Sequence, residues 1–117
     1  MKFRKERLED LIKEEMSVIL KKELDFAETG LVTITRVQMT PELKLCRIFY
    51  SPLSDDKIPH LAEIFKLRGK YFKGILSHRV QMRHMPEVEF VFDTNPREVA
   101  HLESIFNEIS KDQKKKE

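Results

Sequence analysis

The connection between two β-rich runs decides most of what this chain can become. Leu31–Met39 (LVTITRVQM) is rich in β-branched residues and poor in helix formers, and Leu43–Pro52 (LKLCRIFYSP) alternates apolar residues at strand spacing. Only Thr40-Pro41-Glu42 lies between them. A turn that short joins antiparallel neighbours, so the two runs form a hairpin. On the second strand Cys46, Ile48 and Tyr50 share one face, and Leu45, Arg47 and Phe49 share the other. On the first strand the alternation breaks: Val32 and Ile34 point one way, Val37 and Met39 the other. That pattern requires either two partly covered faces or a β-bulge near Thr35-Arg36.

Helical patterns surround the hairpin. Leu8, Leu11, Ile12, Met16, Ile19 and Leu20 recur at three- and four-residue spacing and predict an amphipathic helix over about 4–24, with acids early and lysines late to match its dipole. Glu28-Thr29-Gly30 reads as a loop. After the hairpin, Ser54-Asp55-Asp56 can cap a helix with Pro59 in its first turn, and Ile58, Leu61, Ala62, Ile64, Phe65 and Leu67 carry it to about residue 67. Arg68-Gly69-Lys70 reads as a break. A second helix starts near Lys70 and runs to about His78 or Gln81, with Lys70, Lys73, Gly74, Ser77 and Gln81 on one arc and Tyr71, Phe72, Ile75 and Leu76 opposite. Pro86 then introduces an alternating strand, Glu87–Asp93, with Val88, Phe90 and Phe92 on its core face. Asn95-Pro96-Arg97-Glu98 is a helix start, and Val99, Leu102, Ile105, Phe106 and Ile109 predict a last amphipathic helix. The order α-β-β-α-α-β-α is an α+β layer, a three-stranded sheet with helices on one face. The expected organisation is a domain over 1–95, a C-terminal helix over 96–110 packed on or projecting from it, and a disordered basic tail over 111–117.

At 117 residues the chain fits one domain, large enough to fold without disulfide or metal. The single Cys46 can make no internal disulfide, which points to a cytoplasmic protein. No apolar run approaches a membrane span, and MKFRKERLED turns acidic too early for a signal peptide. Charge is unevenly placed. Lys66–Met85 holds Lys66, Arg68, Lys70, Lys73, Arg79 and Arg83, with His78 and His84 and no acid. Removing these six from the chain's 22 Lys and Arg leaves 16 against 20 Asp and Glu, so the net +2 resides in this window. A basic segment focused on a folded element is the footprint of a polyanion binder, although a solvated helix face also carries charge.

Catalysis finds little support. Cys46 falls on the predicted buried face, the four His are scattered without zinc-ligand spacing, Glu87 and Glu89 have no obvious partner acid, and there is no Gly-rich phosphate loop. The expected protein is not an enzyme and needs no cofactor or metal.

Helices flanking a glycine and basic residues, set between strands, resemble the nucleic-acid platform of a KH domain, in the type II order. Within that group the chain is similar to the ribosome-binding factor A family. The similarity rests on the basic lead Arg4-Lys5-Glu6-Arg7-Leu8 and the strand Val32-Thr33-Ile34-Thr35-Arg36-Val37. It continues through the turn Thr40-Pro41-Glu42-Leu43 and the strand Cys46-Arg47-Ile48-Phe49-Tyr50. Its most specific piece is Met82-Arg83-His84-Met85-Pro86-Glu87-Val88-Glu89-Phe90, which looks like the family's Leu-Arg-x-x-Pro-Glu-Leu-x-Phe run, with Asp93 following. It covers about residues 4–94. One departure stands out. The family usually places Ala-x-Gly between the helices, and those positions here are Arg68, Gly69 and Lys70, with the glycine one place early and the alanine missing. The break is then a differently shaped kink, or the helices are one residue out of register.

The resemblance implies a KH-like type II domain with an added C-terminal helix. It implies a factor that binds the free 30S ribosomal subunit, assists its late maturation including 5′-end processing of precursor 16S rRNA, and matters most in the cold. The expected partners are 16S rRNA and neighbouring ribosomal proteins, bound by a monomer. Arg68, Lys70, Lys73, His78, Arg79 and Arg83 are the expected rRNA contacts, with Gly69 permitting close backbone approach. Lys2, Arg4, Lys5 and Arg7 form a second candidate patch. Solvated surface charge is the plain alternative for each of them, and for Arg83 a role in holding the helix-to-strand turn. The rival function is a protein–protein adaptor that docks an acidic partner on the basic helix, or another chain on Leu45 and Phe49 of the open sheet face.

Overall fold

A computed structural model describes residues 4–94. The expected C-terminal helix (96–110), the tail (111–117) and Lys2 lie outside the described residues. Helix α1 spans Arg4–Glu23, a short α2 spans Phe26–Thr29, strands β1 and β2 span Val32–Met39 and Leu45–Pro52, α3 spans Ile58–Val80, and β3 spans Glu87–Phe92. The sheet order is β1-β2-β3. β1 and β2 pair antiparallel, as their short turn dictates. β3 pairs parallel to β2, which only a long crossover such as α3 permits.

The phase break in β1 is a bulge. Ile34 pairs with Tyr50 and Arg36 with Phe49, so Thr35 is the extra residue. The bulge shifts the alternation by one, and Val37 and Met39 join Ile34 on the helix-covered face, opposite Ile48 and Cys46. On the far face Thr35 Oγ1 donates to Asp93 Oδ2 at 2.5 Å, and Arg36 lies 4.0 Å above the Phe49 ring with its Nε 3.4 Å from the same carboxylate oxygen. The cluster joins all three strands. Arg36 covers Phe49, which is buried, and Leu45 on the same sheet face is half-buried.

The core lies between the sheet and the two long helices. α1 contributes Ile12, Met16, Ile19 and Leu20, and α3 contributes Leu61, Phe65, Phe72 and Leu76, over Ile34, Val37, Cys46, Ile48 and Tyr50 of the sheet. Val88, Phe90 and Phe92 pack against this cluster from β3, as their alternation predicts. Glu9 Oε2 accepts the Met39 N–H at 2.8 Å and ties α1 to the end of β1. Glu28-Thr29-Gly30, expected as loop, is mostly α2: Asp25 caps it by accepting from Ala27 N–H at 3.0 Å, and Gly30, at φ +67°, ends it.

The expected break at Arg68-Gly69-Lys70 is absent. α3 runs through these residues as one helix of 23 residues, and Gly69 has no positive φ. The physical reason is register. Leu61, Phe65, Phe72 and Leu76 all fall on one face, so the core holds both halves in phase, and a mid-helix glycine costs only about 1 kcal/mol. The architecture is the α+β, KH-like type II order, with one helix in place of the pair.

Candidate nucleic-acid interface

The continuous α3 sorts the basic residues that sequence order lumps together. Lys66, Lys70 and Lys73 recur at helical spacing and form one edge of the helix, alongside β3. Arg68 and Arg79 lie on the other edge, against α1. Arg68 donates to Glu23 Oε2 at 3.3 Å and to the Glu23 carbonyl at 3.4 Å, and its guanidinium lies 4.9 Å from the Phe72 ring centroid. Tyr71 O–H donates to the same Glu23 carboxylate at 3.2 Å. Arg79 Nε is ion-paired with Glu15 Oε2. These two arginines join the helices, and their charge is partly spent on α1 carboxylates. Their partners lie 45 and 64 residues away in sequence, which is why the sequence alone shows a single cluster.

The lysine edge overlooks a groove of about 510 Å³ between α3 and β3. Lys66, Gly69, Lys70 and Lys73 line its helix side, and Phe65 and Phe90 its floor. Those two rings stack at 4.4 Å with an interplanar angle of 11°. Gly69 is close-set above them, since a Cβ there would lie 3.9 Å from the Phe90 ring. Lys66 and Lys70 are exposed and have no ion-pair partner among the described residues, while Lys73 Nζ lies 3.6 Å from Glu87 Oε1 at the groove mouth. Cations along a trough suit a single nucleic-acid strand, because the ammonium groups neutralise phosphates, while Phe65 and Phe90, stacked on each other against the core, form its apolar floor. Lys66 and Phe90 are not among the contacts expected from sequence, although the spacing of residues 66, 70 and 73 carries the signal for the first.

The remaining candidates lie elsewhere. His78 is exposed beyond the groove, on the outer side of α3. α3 ends at Val80 with Gln81 in the left-handed conformation (φ 51°), so Arg83 follows the helix and is exposed near Arg4. Arg4, Lys5 and Arg7 occupy the first two turns of α1, with Lys5 Nζ 3.9 Å from Glu6 Oε1. The candidates therefore form a lysine edge, an arginine edge tied to α1, and a cluster at the start of α1.

Cys46 is fully buried, and burial, assisted by Glu9, pushes its thiol up to about 12, which suits packing and not nucleophilic chemistry. Among the described residues no His, Cys, Asp and Glu gather into a group that could hold a metal ion, and no helix is long and apolar enough to cross a membrane.

Comparison with known proteins agrees with this architecture. Ribosome-binding factor A from Desulfatibacillum aliphaticivorans is 32% identical over 107 residues, covering 91% of this chain and 87% of that protein. The crystal structure of ribosome-binding factor A from Thermus thermophilus superposes with a TM-score of 0.67 at 18% identity, over 76% of this chain and 96% of that one. A homology model of the Thermus thermophilus factor, fitted into a cryo-EM map of a 30S–RbfA complex, superposes with a TM-score of 0.64 at 18% identity, over 75% and 93% of the two chains. The family model for ribosome-binding factor A matches residues 4–106, and the chain belongs to that family.

Proposed function

We propose that this protein is a ribosome-binding factor that binds the free 30S subunit and assists its late maturation, including 5′-end processing of precursor 16S rRNA, without catalysing a reaction itself. The observation that carries the reading is the groove between α3 and β3, with lysines on its wall and phenylalanines on its floor. Family membership supports it, as does the fit of a Thermus thermophilus relative into a 30S complex. Lys66 and Lys70 make the primary phosphate contacts, with Lys73, which also faces Glu87, beside them, and Gly69 lets the RNA backbone approach the helix. His78 and the Arg4-Lys5-Arg7 patch extend the positive field at the C-terminal end of α3. Arg68 and Arg79 contribute mainly by fixing α3 on α1. Phosphate contacts position a protein without reading sequence, so selectivity for an immature subunit comes from rRNA shape and from neighbouring ribosomal proteins. The protein acts as a cytoplasmic monomer, most needed in the cold.

The test is co-sedimentation of the purified protein with small subunits, large subunits and joined ribosomes at low and moderate salt, beside a Lys66→Glu/Lys70→Glu variant. Binding to free small subunits, weakened by salt and lost in the variant, is expected. Binding to none of the three particles at either salt would overturn the reading in favour of an adaptor.

A further inference from the structure

Where the start of α1, the β1–β2 turn and the end of α3 meet, the surface sinks into a second hollow of about 620 Å³. Its floor is Leu8, Leu43 and Met82, each partly buried against the core. Arg4, Arg83 and His84 line it as well, with Glu42 beside them. Neither Arg4 nor Arg83 has an ion-pair partner among the described residues.

The backbone supplies an independent observation. Among the described residues the two non-glycine residues at positive φ are Leu43 (59°) and Gln81 (51°), and both line this hollow. Each stands where glycine is the unstrained choice. Leu43 closes the hairpin turn, its N–H donating to the Thr40 carbonyl at 2.9 Å, and Gln81 ends α3, its N–H donating to the Ser77 carbonyl at 3.2 Å. Two residues held in strained conformations at one cavity point to a use for that cavity.

We propose that this hollow takes one unpaired nucleotide of the RNA bound along α3. Its base rests on Leu8, Leu43 and Met82 beside the Gln81 amide, and its phosphate meets Arg4 and Arg83. The inference rests on the reading of α3 as the RNA face. An apolar floor with two arginines at its rim matches a nucleotide, which joins a flat uncharged base to an anion. A free anion would leave the floor unused, and an apolar side chain would leave the arginines unused. The lysine edge leads there: Ser77 follows Lys73 along the same side of α3, and Gln81 lies about 12 Å beyond Lys73. Unstacked bases splayed into protein pockets are how single-stranded RNA is commonly recognised.

The test is a methyl-detected NMR titration of the full-length protein with UMP and AMP, with inorganic phosphate as the control. Leu8, Leu43 and Met82 methyl resonances are expected to shift with a nucleotide and not with phosphate alone. Arg83→Gln should weaken that response several-fold without lowering Tm, and Gln81→Gly should weaken it while raising Tm. Equal shifts with phosphate, or no methyl response at millimolar nucleotide, would overturn the proposal. If the methyl groups stay silent while Lys66→Glu/Lys70→Glu still abolishes small-subunit binding, the hollow proposal fails and the α3 reading stands. If the methyl groups respond while the wild-type protein binds no small subunit, the α3 reading fails instead.

Discussion

Gly69→Ala separates what this glycine does for the fold from what it does for binding. Position 69 lies in the interior of a continuous helix, with no positive φ to protect. A Cβ there meets only the Phe90 ring, at 3.9 Å, which is ordinary van der Waals contact. Alanine therefore fits without displacing a neighbour. Its advantage over glycine in a helix interior is about 0.8–1.0 kcal/mol. In a domain of this size that corresponds to a Tm rise of about 4–8 °C per kcal/mol. Gly74→Ala is the internal standard, because nothing lies within 4 Å of a Cβ at that position. Both variants should unfold at higher temperature when followed by circular dichroism in the far ultraviolet. If Gly69 also serves close approach of RNA, Gly69→Ala should weaken small-subunit binding while Gly74→Ala leaves it intact. A lowered Tm for Gly69→Ala beside a raised Tm for Gly74→Ala would refute the reasoning, since it would show that residue 69 occupies a conformation only glycine tolerates.

Three further outcomes follow from particular contacts. Arg68→Gln should cost about 1 kcal/mol in urea unfolding, because a half-exposed ion pair and its packing on Phe72 are lost, and Glu23→Gln in the same background should cost little more, as expected for coupled partners. Asp93→Ala removes the acceptor of Thr35 and the partner of Arg36, and should cost about 1–3 kcal/mol; an unchanged denaturation midpoint would contradict the role assigned to this cluster. Cys46 should resist thiol reagents in the native state. Its pKa is raised from 9.0 to about 12, so above pH 9 the unfolded chain has lost a proton that the native chain retains. Its contribution to stability is complete below pH 9 and declines toward pH 12, by up to about 1.4 kcal/mol per pH unit, and Cys46→Ala should flatten that part of the alkaline profile.

Much of the fold is legible in local chemistry. The Thr40-Pro41-Glu42 turn dictates an antiparallel pair, and the slipped alternation in β1 points to the neighbourhood of Thr35, where a bulge accounts for it. Pro59 in the first turn of α3 and the Val88-Phe90-Phe92 alternation are equally direct. The continuity of α3 is easily missed when Gly69 is weighed as local punctuation. The sign against a break is the phase of Leu61, Phe65, Phe72 and Leu76, which stay on one face across it. α2 escapes notice because four residues carry no periodicity, and its stability comes from the Asp25 cap. The division of the basic window is not legible at all. It depends on Glu15 and Glu23, which approach Arg79 and Arg68 only when α1 packs on α3. Spacing along a helix shows which residues share a face, but not which of their charges are already answered.

That division is the centre of the account, and one paired comparison tests it most directly. Small-subunit affinity and Tm are measured for Lys66→Gln/Lys70→Gln and for Arg68→Gln/Arg79→Gln, each removing two charges from α3. The lysine pair should lose affinity and flatten the salt dependence by roughly two phosphate contacts while leaving Tm unchanged. The arginine pair should lower Tm and, at temperatures where it remains folded, keep most of its affinity. Equal losses of affinity from both pairs with no change in Tm would contradict the account, because they would show one undivided basic surface rather than a binding edge and a structural one.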